Sequence, residues 1–92
     1  MKNQIEIFIK GCELCKEVLS MVELGKCLGC ELVVRDVREK REEDLEKVKE
    51  YDVKVFPTII INNRIKIEGK PKFPLICSPE LYKFLERNYR FR

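Results

Sequence analysis

The sequence predicts an α/β fold in the order β-α-β-α-β-β-α, and three observations point to it. Apolar residues alternate through Ile5, Ile7 and Ile9, then switch to helical spacing at Cys15, Val18, Leu19 and Val22. A β-rich run over residues 53–61 meets Asn62-Asn63, a pair suited to a tight turn, after which Ile65 and Ile67 alternate with Lys66 and Glu68. Ser78-Pro79-Glu80 reads as a helix start, with a capping hydroxyl, a proline at the first helical position and an acid in the first turn. The 92 residues make a single domain, 1–92, with a core large enough to fold alone.

The first strand is expected over residues 4–10. Ile5, Ile7 and Ile9 share one face and Phe8 lies on the other, as in a strand internal to a sheet. Glu6 interrupts it, and a partly exposed position is the plain account of that acid. A helix over residues 14–24 follows, closed by Gly25 as its C′ residue. Leu32, Val33, Val34 and Val37 make a second strand. Residues 39–51 are charged, with Leu45 and Val48 the clearest apolar positions, and read as an exposed helix. Pro57 begins the third strand, since proline is excluded from a central ladder but tolerated at a strand start. Gly69 ends the fourth strand. Residues 70–77, with Pro71 and Pro74, form a loop, and Leu81, Phe84 and Leu85 supply the buried stripe of the last helix.

Composition excludes several functions. Nineteen basic and sixteen acidic residues are interspersed, and a net charge of +3 is too small to imply nucleic acid. The basic and aromatic tail, 87–92, reads as a solvated helix end with cations at its negative pole. No apolar run approaches the ~18 residues of a membrane span, and no signal-peptide core follows Met-Lys-Asn-Gln. A cytoplasmic, monomeric protein without nucleic-acid or membrane partners is expected. Histidine is absent, which removes imidazole catalysis and His-ligated metal sites.

Five cysteines in such a chain point to redox or metal chemistry, and their odd number leaves at least one unpaired. Cys12 and Cys15 form a C-x-x-C at a strand-to-helix junction. A cysteine at a helix N-terminus has its thiolate favoured by the helix dipole and by unpaired backbone N–H groups. Lys10 and Lys16 flank the pair and add positive charge, or are simply two of many surface cations. Cys27 and Cys30 repeat the spacing, so one zinc on four thiolates must be weighed. An intact helix at ~1.5 Å per residue separates the pairs by roughly 15 Å, whereas sulfurs on one zinc each lie ~2.3 Å from it. A shared ion is therefore not expected. A local disulfide, a weak two-thiolate metal site and inert thiols all remain open for Cys27 and Cys30.

The whole pattern resembles the thioredoxin fold in its compact, glutaredoxin-sized form, a four-stranded mixed sheet with three helices. The sharpest match is Tyr51-Asp52-Val53-Lys54-Val55-Phe56-Pro57-Thr58, which is similar to the thioredoxin stretch containing a cis-proline before the third strand. The resemblance implies that Phe56, Pro57 and Thr58 bind substrate, that Cys12 attacks and that Cys15 resolves. It places Glu6 where thioredoxins carry a buried acid that assists the resolving thiol. It also places Cys77, just before the last helix, near Cys12 as a third redox thiol or as a buried inert one. The thioredoxin Trp-Cys-Gly-Pro-Cys and the glutaredoxin Cys-Pro-Tyr-Cys are absent, as are the glutaredoxin Thr-Val-Pro and Gly-Gly elements that hold glutathione. The expected activity is therefore thiol–disulfide exchange with protein disulfides, without a bound cofactor or metal. Electrons would come from a partner reductase or another protein dithiol. The alternative is a zinc- or copper-handling thiolate module on the same fold.

Overall fold

In the computed structural model, which describes residues 3–26 and 29–92, strand β1 (Gln4–Ile9) is buried from Ile5 onward and lies inside a four-stranded sheet. It is followed by α1 (Glu13–Gly25), β2 (Glu31–Asp36), α2 (Glu42–Glu50), β3 (Thr58–Ile61), β4 (Ile65–Glu68) and α3 (Pro79–Asn88). The sheet order is β2-β1-β3-β4, with β1 parallel to β2 and the other pairings antiparallel. The sheet is thus mixed and carries three helices. A short 3₁₀ turn, Val37–Glu39, stands between β2 and α2 and adds an element to the expected order.

Strand alternation sends apolar groups to both faces of the sheet. Ile5, Ile7, Ile9, Ile59 and Ile61 join Cys15, Val18 and Val22 of α1 and Leu85 of α3 in the larger cluster. Phe8 and Ile60 face the other way and pack with Tyr51 and Val53. Register also fixes which strand ends meet. Ile9 lies opposite Asp36, and Phe8 lies opposite Thr58. The end of β1, the end of β2 and the start of β3 therefore meet at one edge, where α1 begins. Ligands of open α/β sheets bind at this kind of edge, beyond the carboxyl ends of parallel strands.

Several boundaries differ from expectation for local reasons. Val37 leaves the strand because the Asp36 carboxylate accepts the Arg38 N–H at 3.0 Å and closes the 3₁₀ turn. Lys40 then takes a left-handed conformation at φ 53°, so α2 starts at Glu42 rather than residue 39. The helix buries Asp44, whereas Leu45 stays 40% exposed. Glu6 is also buried rather than partly exposed: both acids grip the buried guanidinium of Arg35, at 3.0 Å from Glu6 and 2.9 Å from Asp44. Gly25 is the last residue of α1 and not a left-handed cap. Its role is space, because a Cβ there would lie 1.6 Å from the Leu75 carbonyl oxygen.

That contact also redirects the loop after β4. It leaves the functional edge, passes α1 at a Lys70–Glu17 ion pair, and reaches the helix C-terminus, where Cys77 N–H donates to Gly25 C=O at 2.8 Å. Ser78 caps α3 as expected, accepting from Leu81 N–H at 3.1 Å. The tail is not a free helix end. Arg90 bridges to Ile65, Phe91 packs edge-on against Tyr51, and Arg92 pairs with Glu50 at 3.0 Å.

Candidate functional site: a dithiol at the head of the first helix

Cys12 is the N-cap of α1, in extended conformation, and its sulfur accepts the Cys15 N–H at 3.3 Å. Sequence and helix geometry place the second cysteine one turn on, where its sulfur lies 2.7 Å from that of Cys12. Both are free thiols. Closing the bond to the ~2.05 Å of a disulfide needs only a small side-chain rotation. Exposure separates them: Cys15 is fully buried in the main core, while Cys12 is half-buried at its margin. Of the two sulfurs, Cys12 is therefore the one open to solvent.

The Cys12 thiol is held below its ordinary pKa. The chief cause is hydrogen bonding from the Cys15 side chain, aided by the Cys15 N–H and the charge of Lys10, with desolvation opposing. Cys15 in turn accepts the Lys10 N–H at 3.5 Å. Lys10 thus acts on both sulfurs, one through its charge and one through its backbone. Lys16 is exposed and pairs with Glu13 at 3.6 Å.

Arg38 belongs to this site although no sequence motif marks it. Its guanidinium lies over Gly11, where a Cβ would be 2.1 Å from Nη1, and its charge interacts with Cys15. Gly11 has φ +84°, a left-handed backbone that favours glycine, and a Cβ there would also make the flexible Arg38 guanidinium shift. Asp36 anchors the guanidinium through hydrogen bonds of 3.0 Å to Nε and 2.6 Å to Nη2, and Arg38 lowers the Asp36 carboxyl pKa in return. The 3₁₀ turn is what delivers the arginine here.

Pro57 follows a cis peptide bond from Phe56 and precedes β3 at the same edge of the sheet. Phe56 packs against both apolar clusters, the larger of which also receives Cys12. The Pro57 carbonyl accepts from Gly69 N–H at 2.8 Å, whereas Phe56 makes no backbone–backbone hydrogen bond among the described residues. Thr58 is fully buried, and its hydroxyl donates to the Val55 carbonyl at 2.5 Å.

Other expected site residues fall elsewhere. Glu6 shares the strand face of Phe8, whereas Cys15 packs with Ile5, Ile7 and Ile9 on the opposite face. Its carboxylate is engaged by Arg35, a partner whose significance is invisible until β2 lies beside β1. Cys77 is not near Cys12. It lies at the far end of α1, with its sulfur 3.9 Å from that of Cys30, and is disulfide-bonded. Cys30 is a buried free thiol, so it does not close a local disulfide with Cys27; Cys27 itself lies outside the described residues. No group of three or more potential metal ligands occurs among the described residues. No described helix is long and apolar enough to cross a membrane. Comparison with models of known families, with curated proteins and with solved structures finds no match.

Proposed function

We propose that the chain is a thioredoxin-like thiol–disulfide oxidoreductase acting on protein disulfides through Cys12 and Cys15. The observation that carries this reading is the half-buried Cys12 sulfur at the helix N-cap, 2.7 Å from a buried second thiol that stabilises its ionised form. The sheet order and the proline preceding β3 support the fold assignment.

The Cys12 thiolate attacks one sulfur of the substrate disulfide, and the departing sulfur leaves as a thiolate that takes a proton from water. Cys15 then loses its proton to solvent and attacks the Cys12 sulfur of the mixed disulfide. The second substrate thiolate is released, and a Cys12–Cys15 disulfide remains. Two electrons pass from the dithiol to the substrate, and an external dithiol reductase restores the starting state. A thiolate with a pKa near ambient pH is the most effective attacker in such exchange. Phe56 offers unpaired main-chain groups for an extended substrate segment, and exposed Leu14 and Val55 offer apolar contact.

The test is reduction of insulin disulfides by the protein in the presence of dithiothreitol. Cys12→Ser is expected to abolish the catalysed rate, and Cys15→Ser to accumulate a mixed disulfide visible by mass. Stoichiometric zinc or copper in the purified protein, with both thiols shielded from alkylation until chelation, would overturn the reading in favour of a metal-handling module.

A further inference from the structure

The second thiol of the dithiol faces a physical obstacle that the first does not. Cys15 is fully buried in the main core, and burial disfavours the anion it must become before it can attack. Glu6, the acid expected to assist it, lies on the opposite sheet face and is held by Arg35. Glu13 and Lys16, its neighbours on α1, are exposed and pair with each other. Besides Cys12, two groups act on the Cys15 sulfur from outside the core. The Lys10 N–H is hydrogen-bonded to it at 3.5 Å, and the charge of Arg38 interacts with it. The charge of Lys10, by contrast, acts on Cys12.

Arg38 is fixed at several points although its side chain is largely exposed. Its N–H and its Nε each donate to the Asp36 carboxylate at 3.0 Å, and Nη2 donates to the same carboxylate at 2.6 Å. Lys40 N–H closes the turn on Val37 C=O at 3.2 Å. Asp36 thus takes Nε and Nη2, and Nη1 is the atom that comes nearest to Gly11. Gly11 joins Lys10, whose N–H holds the Cys15 sulfur, to Cys12, the helix cap. The guanidinium therefore rests on the loop that wraps the buried thiol. Asp36 also pushes the Arg38 pKa up, so the charge stays constant over the pH range of thiol chemistry.

We propose, resting on the dithiol oxidoreductase reading, that Arg38 is the positioning residue of the resolving step. Anchored by Asp36, it holds the Gly11 loop over Cys15 and supplies the positive charge that favours the Cys15 thiolate. In that step Cys15 loses its proton to solvent and its sulfur bonds to the Cys12 sulfur of the mixed disulfide. The bond from Cys12 to the substrate breaks, and the substrate sulfur leaves with the electron pair and takes a proton from water. The two cations of the site then divide the work: Lys10 favours the attacking thiolate and Arg38 the resolving one. Each unit by which a thiol pKa falls raises its thiolate fraction about tenfold below the midpoint. A more acidic thiolate is also a weaker nucleophile, so the net gain in rate is roughly threefold per unit.

The test follows the full chain with one equivalent of 4,4′-dithiodipyridine, a disulfide with no charge for Arg38 to bind at neutral pH. Stopped-flow absorbance reads two releases of thiopyridone, the first from attack by Cys12 and the second from resolution by Cys15. Arg38→Met should slow the second phase by about threefold to tenfold at pH 7 and change the first by much less. It should also move the midpoint of the second phase's pH–rate profile upward, with the gap to the unmodified chain closing as pH rises past both midpoints. Arg38→Lys, which keeps the charge, should restore most of the lost rate. An unchanged second phase in Arg38→Met would overturn the proposal while leaving the dithiol reading intact. So would an equal slowing at every pH, which marks a loosened loop without an electrostatic role. Failure of the dithiol reading itself looks different, since both releases would then persist in Cys12→Ser, and the role of Arg38 would fall with it.

Discussion

The two ends of α1 carry the same chemical group in opposite settings. At the N-terminus, Cys12 sits where the helix presents unpaired N–H groups, beside Lys10 and below an anchored Arg38, and its thiol is acidified. At the C-terminus, roughly 18 Å away by helix rise, Cys30 is enclosed by apolar residues, a disulfide sulfur and a tyrosine hydroxyl. One end holds a half-buried thiol whose ionised form is favoured. The other brings a thiol against the chain's own disulfide. Cysteine spacing alone does not separate these fates, since the position on the helix and the surrounding charge decide them.

The largest expected effect breaks this comparison outright if it fails. Cys12→Ser should lower protein-disulfide reductase activity by on the order of 10³-fold or more, as loss of a nucleophile generally does. Activity surviving in that variant would move the external chemistry to the other pole. Next comes the buried charge cluster on the opposite sheet face. Arg35→Met leaves Glu6 and Asp44 buried without their cation and should cost about 3–5 kcal/mol in urea unfolding. The pH profile of Cys12 alkylation in the folded fraction should not move, because Glu6 faces away from the dithiol.

Glycines guard each end of the helix and give a matched pair of tests. In Gly25→Ala the new Cβ meets backbone, the Leu75 carbonyl, and overpacking of this kind should destabilise by about 1–3 kcal/mol. Gly11→Ala meets the flexible end of Arg38, and its main cost is the left-handed backbone, about 1–2 kcal/mol. Thermal unfolding of the two variants measures both. The second should also displace Arg38 and alter thiol reactivity; the first should not.

The smallest effects concern ionisation. Cys12 should react with iodoacetamide with a midpoint below the ~8.5 of an ordinary thiol, because its lowered pKa releases the proton earlier as pH rises. Cys15→Ala removes the leading cause of that shift, so the midpoint should move upward. Lys10→Gln should move it upward by less, and the difference should shrink at high salt, since an exposed charge acts through a screened medium.

Much of this was legible without coordinates. Ile5, Ile7, Ile9, the helix stripe, the Asn62-Asn63 turn and the Ser78 cap each declare themselves by local periodicity or capping chemistry. The dithiol was legible for the same reason, because its residues are neighbours in sequence. Arg38 was not, since its reach over Gly11 depends on a 3₁₀ turn closed by Asp36. Asp44 was misleading, because a charged residue on α2 buries itself only when Arg35 meets it from β2. Cys77 is held away from its expected end where the chain passes Gly25, with Leu75 over the glycine and the Cys77 N–H on its carbonyl.

The sequence by itself determined the order of the strands and α-helices, though not the 3₁₀ turn between β2 and α2, together with the internal character of β1 and the placement of two thiols one turn apart, all properties of residues within a few positions of each other. Only the tertiary structure decided which cysteines meet, which acids are buried and which cation faces the dithiol. Those outcomes depend on contacts across separate elements, from Arg35 with Asp44, 9 positions apart, to Glu6 with Arg35, 29 apart, and Cys30 with Cys77, 47 apart. Their energies are set by shared burial, and no local pattern encodes it.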